Sequence, residues 1–331
     1  MSITIVMYHY VQDRDKTNYP GLKGLWLDEF RGQLDYIKRH YTVVTADDLI
    51  AAIKDKAKLP ENAALLTFDD GYADHYRNVF PVLLDLNLTG LFFPPGKTTL
   101  ESRVLDVNKI HFVLATANDK GSVYSDLTTM IEVERERYGL EDLSAYQQLY
   151  HTPGRFDGPD VAFIKSMLQK GLPADCRTQF IDDLFQKYVT SDEAEFSSDI
   201  YMSLEQLQEM RKKGMYIGSH GYDHFWLSHL SSEQQKIEIE ESLRFLERVG
   251  TPTTDWIMCY PYGDYNDSLL HTLRDNKCIV GLTTHTDVAN IDQHDPLLLP
   301  RLDTNDLPKD GTAPQNQWTK GDKAQPPSLF N

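Results

Sequence analysis

The chain has 331 residues, of which 40% are apolar, and its formal net charge is −17. This length suits an α/β domain with a large insertion or two domains, and the negative charge opposes binding to nucleic acid or to an anionic membrane surface, since both need clustered Lys and Arg. The three cysteines, Cys176, Cys259 and Cys278, form no close pair in the sequence and argue against a disulfide framework or a thiolate metal site.

The first predicted element is a strand from Ile3 to His9, which is β-branched and apolar before it turns polar. His9 is either a catalytic or substrate-binding imidazole or a histidine hydrogen-bonded at the strand end. Residues 12–26 are polar with Pro and Gly, which indicates a loop; Trp26 in it either contacts a sugar or anchors the loop. The next predicted elements are a helix at Leu27–Arg39, a strand at Tyr41–Val44 and a helix at Asp47–Lys56 with Thr45 as N-cap.

The segment Leu65–Tyr72 is an apolar run that ends in Asp69, Asp70 and Gly71. This pattern predicts a buried strand that stops at the edge where α/β enzymes keep their catalytic groups. Side chains alternate along a strand, so both carboxylates face one cavity only if the strand ends between them and the backbone turns. The alternative is a simple Asp-Asp-Gly turn in which one carboxylate caps the next helix.

Beyond this segment, a helix is predicted over Tyr72–Leu86, kinked or divided at Pro81, and a strand over Gly90–Gly96. Alternation of strands and helices predicts parallel pairing. Residues 101–200 break the alternation and indicate a mostly helical insertion, which caps the active site or serves as a dimerisation or stabilising lobe. Its predicted helices are Val107–Ala117, Leu127–Tyr138, Val161–Lys170 and Thr178–Val189, and its candidate ligand contacts are Tyr124, Tyr146, Tyr150 and His151.

A second apolar run, starting at Met215, leads into His220 and His224. Two imidazoles four residues apart can share a divalent ion, and with one carboxylate they form a three-ligand site with an open position. Asp70 fits the carboxylate ligand, and Asp69 beside it fits a general base. Mixed nitrogen and oxygen ligands favour Zn, with Co, Ni or Mn as alternatives. The other interpretation of the two histidines is a pair of surface or N-cap residues.

The last part of the chain carries further strand-like runs. Trp256–Cys259 leads into Tyr260-Pro261-Tyr262-Gly263, and Leu282 leads into His285. A third apolar run, Leu297–Leu299, precedes Arg301, which either reaches the same edge or is a surface arginine. The predicted helices ahead of these runs are Leu204–Lys213, capped by Ser203, and Glu233–Val249; the polar residues 306–331 are expected to be a tail or a loosely packed wrap.

Three motifs resemble those of the polysaccharide deacetylases, the NodB-homology group of carbohydrate esterase family 4: Thr67-Phe68-Asp69-Asp70-Gly71-Tyr72, His220-Gly221-Tyr222-Asp223-His224 and Tyr260-Pro261-Tyr262-Gly263. The resemblance implies an irregular, seven-stranded (β/α) barrel of the TIM-like kind. It divides the chain into a split deacetylase barrel at 1–100 and 201–305, the helical insertion at 101–200 and the tail at 306–331. It also implies a metal-dependent hydrolase that removes an N-acetyl group from a sugar.

The resemblance assigns further roles. The backbone N–H of Tyr262 would help to stabilise the oxyanion, and Tyr72, Tyr222 and Trp26 are the candidate substrate contacts. Relatives have an arginine that orients the base at the position of Cys259, so Arg301 is the candidate replacement. Relatives carry the general acid on a late histidine that this chain matches poorly, which leaves His285 or His9.

The expected substrate is an N-acetylated sugar, as a polysaccharide, glycolipid or nucleotide sugar. The alternatives are an O-deacetylase or other amidohydrolase, and a catalytically silent carbohydrate-binding protein. No apolar run approaches the ~18 residues of a spanning helix, and the first residues do not resemble a signal peptide. The sequence therefore predicts a cytoplasmic protein, with homo-oligomerisation left open.

Overall fold

The computed structural model describes residues 1–153 and 157–320. Within these ranges the strands are Ser2–Tyr8 (β1), Val11–Gln12 (β2), Leu25–Trp26 (β3), Thr42–Val43 (β4), Ala63–Asp69 (β5), Leu91–Phe93 (β6), Tyr216–Ile217 (β7), Trp256–Cys259 (β8), Cys278–Leu282 (β9), Ala289–Asn290 (β10) and Leu302–Asp303 (β11).

The α-helices of the described ranges are Leu27–His40 (α1), Ala46–Lys54 (α2), Phe80–Asp85 (α3), Gly96–Glu101 (α4), Asp106–Thr116 (α5), Lys120–Tyr138 (α6), Leu143–Tyr150 (α7), Pro159–Ser166 (α8), Ala174–Tyr188 (α9), Glu193–Ile200 (α10), Leu204–Lys212 (α11), Ser232–Val249 (α12), Asp267–Asp275 (α13) and Gln317–Lys320 (α14). Two π-helical turns, His75–Val79 and Met167–Gly171, accompany them. Across the residues described, no helix is both long and apolar enough to cross a membrane.

The chain divides into two compact units. The first unit comprises Met1–Lys16, Gly24–Glu101 and the chain from Ser198 onward, and the second comprises Thr17–Lys23 and Ser102–Ser197. The first unit is an α/β fold with a mixed sheet. The second is helical: α5 packs on α9 and α6 on α8, and the buried Lys109 is paired with Asp182 and Glu193.

The sheet of the first unit is mainly parallel. Strand β1 pairs with β5, β5 with β6 and β6 with β7, all in parallel, while β4 lies beside β5. On the other side of β1, β11 pairs in parallel and β10 antiparallel. Strands β8 and β9 form a further parallel pair, and isolated bridges join Ser219 to Met258 and Leu282 to Leu299. The carboxyl ends of the parallel strands therefore lie at one edge.

Every residue of β5 is buried. A strand in the middle of a parallel sheet is covered on both faces, which explains why its sequence is a continuous apolar run without alternation. Its even-numbered side chains join a cluster that includes Leu66 and Phe68, and its odd-numbered ones join a second cluster that includes Leu65. This packing fixes the point at which the strand ends, and so the position of Asp69.

Pro81 divides the helical segment after Tyr72, which was one of the two predicted outcomes. The segment consists of a π-helical turn followed by α3, with Pro81 in the first turn of α3. The apolar run Leu297–Leu299 lies largely in a 3₁₀ turn over Pro296–Leu298. Helices α4, α7, α10, α13 and α14, which have four to nine residues each, were not predicted.

The tail is more ordered than its composition suggests. Within residues 306–320, Asn316 and Thr319 hydrogen-bond the Tyr36 hydroxyl of α1, and Trp318 packs on the main hydrophobic cluster. Residues 321–331 of the predicted tail lie outside the described ranges.

Candidate active site

The two neighbouring aspartates reach one site because the backbone turns between them. Strand β5 ends at Asp69, and Asp70 and Gly71 follow with φ values of +69° and +72°. A Cβ on Gly71 would lie 2.6 Å from the Cβ of Pro94, so this position requires glycine for both conformation and space. The expectation that the strand ends between the two carboxylates is confirmed.

The histidine-bearing segment Ser219–His224 follows β7 and includes two residues with positive φ, Gly221 at +71° and His224 at +57°. The Nδ1 of His220 lies 2.8 Å from the backbone carbonyl of Cys259. Because a carbonyl oxygen can only accept, Nδ1 carries the proton in this contact and Nε2 presents a lone pair.

Asp70, His220 and His224 converge on one point. The Nε2 atoms of both histidines lie 3.3 Å from Oδ1 of Asp70, and all three side chains are buried. Among the residues described, this Oδ1 is a buried oxygen without a hydrogen-bond partner. The other oxygen, Oδ2, accepts a hydrogen bond of 2.5 Å from the hydroxyl of Tyr72.

These three side chains fit a divalent metal ion. Bonds of about 2.0–2.2 Å to nitrogen and oxygen, at tetrahedral or octahedral angles, put ligand atoms about 3.0–3.4 Å apart, and the observed separations of 3.3 Å lie in this range. A buried carboxylate oxygen that faces two imidazole nitrogens, one of which presents a lone pair, needs a cation or a proton between them. The Tyr72 hydroxyl and the Cys259 carbonyl orient two of the ligands, as outer partners do in metal sites.

Asp69 forms a buried ion pair with Arg301. The two terminal guanidinium nitrogens donate to its two oxygens at 2.9 and 2.8 Å, and the Nε of Arg301 donates to the carbonyl of Thr283 at 2.8 Å. Burial alone would raise the pKa of Asp69, but Arg301 and the neighbouring His220 outweigh burial and lower this pKa to about 2. Asp69 is therefore a carboxylate at neutral pH.

Arg301 reaches Asp69 from a part of the chain outside the third motif. Cys259, at the arginine position of that motif, is fully buried, and its thiol lies within 4.8 Å of ligand atoms of Asp69 and His220. Burial raises the pKa of this thiol. The structure thus brings Arg301 to Asp69, whereas the surface interpretation of Arg301 is wrong.

The two candidate proton donors are placed differently. The Nε2 of His9 lies 3.9 Å from Oδ2 of Asp69, and the His9 side chain is 42% exposed. His285 is exposed and lies beyond the end of β9; its backbone N–H donates to Thr283, and its backbone carbonyl accepts from Arg301. The expectation of a histidine directly at a strand end is wrong for His285, because β9 stops at Leu282.

The backbone of His9 is fixed by a residue that sequence reasoning missed. His75, fully buried in the π-helical turn, bonds the carbonyl of His9 through Nε2 at 2.7 Å. Burial lowers the pKa of His75 to about 4, so its ring is neutral and donates this proton. The available signal was a histidine one helical turn after the Asp-Asp-Gly-Tyr motif.

The aromatic candidates occupy different environments. Tyr262 adopts φ +59°, and its ring packs edge-to-face on His224 with ring centres 4.7 Å apart. Tyr72 is buried and holds Asp70, so the structure gives it a role in orienting a carboxylate instead of a surface for substrate. The Tyr222 hydroxyl donates to Glu101 at 2.6 Å. Trp26 is the N-cap residue of α1 and lies under the guanidinium of Arg14, an arrangement that fits anchoring of the loop.

Comparisons with known proteins agree on the family. Residues 180–278 match the family model for polysaccharide deacetylase, a stretch that contains the second and third motifs. The chain is 32% identical over 93 residues to YxkH of Bacillus subtilis, a protein assigned to the polysaccharide deacetylases by its name. That match covers 28% of this chain and a third of the relative's length (33%).

Solved structures share the fold over most of the chain. The deacetylase PplD of Streptococcus pyogenes, in complex with acetate, superposes with a TM-score of 0.56 at 18% identity and 92% coverage of both chains. A de-N-acetylase from Aggregatibacter actinomycetemcomitans gives a TM-score of 0.55 at 16% identity, covering 97% of this chain and 99% of the other. IcaB from Ammonifex degensii gives 0.51 at 19% identity and 91% coverage of both. The match of residues 180–278 to the family model and the similarity to YxkH confirm the resemblance carried by the sequence motifs, and the solved structures show that the fold is shared.

Proposed function

We propose that this protein is a metal-dependent hydrolase that removes an N-acetyl group from a sugar and yields an amine and acetate. One observation carries the proposal: Asp70, His220 and His224 present three ligand atoms to one point, with the ionised Asp69 beside them. Binding a sugar would not by itself need a second buried carboxylate held by an arginine. Hydrolysis of an amide does need a base next to the activated water.

In this proposal, Asp70, His220 and His224 hold a divalent metal, most readily Zn, with Co, Ni or Mn as alternatives. When bound, such a metal polarises the amide carbonyl and acidifies water. Burial would raise the pKa of Asp70, but the adjacent imidazoles of His220 and His224 outweigh it and hold the pKa well below its usual range. Asp70 is therefore present as the carboxylate that a metal ligand must be.

Asp69 is the proposed general base. It accepts a proton from the attacking water, whose oxygen forms a bond to the amide carbon. Arg301 holds both carboxylate oxygens of Asp69, which fixes the direction of this side chain and keeps it ionised. The arginine thus replaces, from another part of the chain, the residue absent at Cys259.

Tyr262 and His9 complete the proposed reaction. The backbone N–H of Tyr262 donates to the carbonyl oxygen as negative charge develops there; the left-handed backbone of this residue, unusual for an aromatic, is the kind of strain found at functional sites. When the carbon–nitrogen bond breaks, His9 donates a proton to the departing amine. His9 is proposed over His285 because its ring lies 3.9 Å from Asp69.

We also propose that the first unit is the deacetylase barrel anticipated from the motifs. The assignment is supported by the successive pairings of β1 with β5, β5 with β6 and β6 with β7. It is further supported by the bridge from Ser219 to Met258, the β8–β9 pair, and the bridge from Leu282 to Leu299 just ahead of β11. Such a barrel directs the carboxyl ends of its strands to one rim, where the proposed site lies.

The test measures acetate and free amine from N-acetylated chito-oligosaccharides, N-acetylated nucleotide sugars and O-acetylated sugars, with zinc-loaded protein. Equal amounts of acetate and amine are expected from an N-acetylated sugar. The Asp69→Asn variant is expected to bind zinc without turnover, whereas the exposed control Asp47→Asn keeps its activity. Acetate from O-acetylated sugars alone would establish an O-deacetylase, and sugar binding without acetate release would establish a binding protein. Full activity of Asp69→Asn would refute the mechanism.

A further inference from the structure

The segment Ser219–His224, which carries the two histidines, includes two residues in left-handed conformations. They are Gly221, at φ +71°, and His224, at φ +57°. Left-handed conformations cost energy for residues other than glycine, so a histidine persists there only when its surroundings fix it. The structure shows what supplies that constraint.

Glu238, on helix α12, holds the middle of this segment. Its Oε1 accepts hydrogen bonds of 2.7 Å from the backbone N–H groups of both Tyr222 and Asp223. The Glu238 residue is 6% exposed. Two backbone donors thus share one buried oxygen, and its removal would leave both N–H groups without this partner, which is costly in a buried position.

Glu238 and Gly221 are matched in space. A Cβ on Gly221 would lie 3.0 Å from Oε1 of Glu238, closer than such contacts normally allow. The absent side chain at Gly221 therefore leaves room for the carboxylate that arrives from α12. A side chain at this position would displace the oxygen that holds the two N–H groups.

A second contact fixes the same segment from helix α4. The backbone N–H of Lys97 donates to the carbonyl of Tyr222 at 2.9 Å, and the Lys97 ammonium pairs with Asp223 at 2.5 Å. Glu238 therefore accepts from the N–H groups of Tyr222 and Asp223, whereas Lys97 contacts the carbonyl of Tyr222 and the carboxylate of Asp223. The peptide groups between His220 and His224 are thus held by two helices, with Glu238 as the buried contact.

We propose that Glu238 is a positioning residue that sets the place of His224 relative to Asp70 and His220 in the metal-binding site. The inference rests on the proposed function, because it concerns the affinity of that site for a metal. Glu238 contacts neither reacting atoms nor the metal ligands' side chains in this account. It acts through the backbone of Tyr222 and Asp223.

The experiment measures the zinc dissociation constant of metal-free protein by competition with a chromophoric chelator. Loss of a partner that orients metal ligands typically weakens binding by about 10- to 100-fold. Glu238→Leu is expected to weaken zinc binding to this extent, and Glu238→Gln, which keeps an oxygen acceptor, to stay within about threefold of the wild type. The matched control is Glu240→Leu, an exposed glutamate of the same helix, with an unchanged constant.

Thermal unfolding of the metal-free proteins separates positioning from general stability. A Glu238→Leu variant that is less stable yet binds zinc as tightly as the wild type would overturn the inference, as would a Glu238→Gln variant as weak as Glu238→Leu. If Glu238→Leu does not fold, Glu238→Asp replaces it; this variant keeps the charge and shortens the reach, and weaker zinc binding is again expected, whereas wild-type binding would overturn the inference. Failure of the wild type itself to bind zinc would instead refute the proposed function.

Discussion

Replacing Arg301 with methionine tests the buried ion pair on which the base depends. Arg301→Met keeps a long side chain but leaves the Asp69 carboxylate buried without its partner. Removing one member of a buried, bidentate pair typically costs about 3–5 kcal/mol of unfolding free energy. The pKa of Asp69, lowered from 3.8 to about 2, corresponds to about 2 kcal/mol in favour of its ionised form. We therefore expect Arg301→Met to lower the unfolding free energy at pH 7 by about 3 kcal/mol or more.

The loss of unfolding free energy in Arg301→Met should be smaller at acidic pH than at neutral pH. In the wild type, Asp69 has a lowered pKa, so its ionisation stabilises the folded protein above the ordinary carboxyl range, and this stabilisation is lost as the pH falls towards about 2. In Arg301→Met, burial is no longer offset by the guanidinium and raises this pKa, so the penalty for the buried charge disappears on acidification. The difference between the two proteins should therefore shrink steadily as the pH falls from above the ordinary carboxyl range towards about 2.

The assay is urea unfolding of the metal-free proteins at several pH values between 7 and 3, together with Asp69→Asn and the double variant. The loss of unfolding free energy in the double variant, Arg301→Met with Asp69→Asn, should be smaller than the sum of the losses in the two single variants by about 1–3 kcal/mol. Arg274→Met is the control, because Arg274 pairs with Asp295 at 2.6 Å on the surface, where a loss of about 1 kcal/mol or less is expected. If Arg301→Met loses no more unfolding free energy than Arg274→Met, or loses the same amount at every pH, the claim that Arg301 offsets the buried charge of Asp69 is wrong.

Three further predictions concern the metal ligands and the proton donor. Tyr72→Phe removes the hydrogen bond to Asp70 and should weaken zinc binding by about 10-fold in a chelator competition; unchanged binding would contradict the orienting role. His9→Asn should lower kcat by about 10²- to 10⁴-fold, whereas His285→Asn should keep kcat within a few-fold; the opposite order in steady-state assays would assign the proton donor to His285. Zinc at about 100 times its dissociation constant should stabilise the wild type by about 2.7 kcal/mol in calorimetry, but not His224→Ala, and equal stabilisation of both would place the ion elsewhere.

Local patterns in the sequence predicted much of the fold. Thr45 and Ser203 cap α2 and α11 as expected, each with a reciprocal bond from the third helical residue. The end of the strand at Asp69 was predicted because the apolar run changes there to two carboxylates and a glycine. These features depend on neighbours within a few residues, which is the range over which sequence patterns carry information.

The rest of the site depends on contacts between distant parts of the chain. The sequence separates Arg301 from Asp69 by 232 residues, so its role could be listed as a candidate but not chosen over a surface position. The bond from His75 to His9 and the contact of Glu238 with the histidine segment were missed for the same reason. Tyr72 was taken for a substrate contact because its pattern does not reveal that its hydroxyl faces Asp70.

The metal site is tested most directly by an anomalous difference map, recorded at the zinc edge, from crystals of the zinc-loaded protein. One strong peak is expected at bonding distance from Oδ1 of Asp70 and from the Nε2 atoms of His220 and His224. Zinc bound only elsewhere, or a peak ligated by the Cys259 thiol in place of Asp70, would contradict the claim that these three side chains form the metal site of a deacetylase.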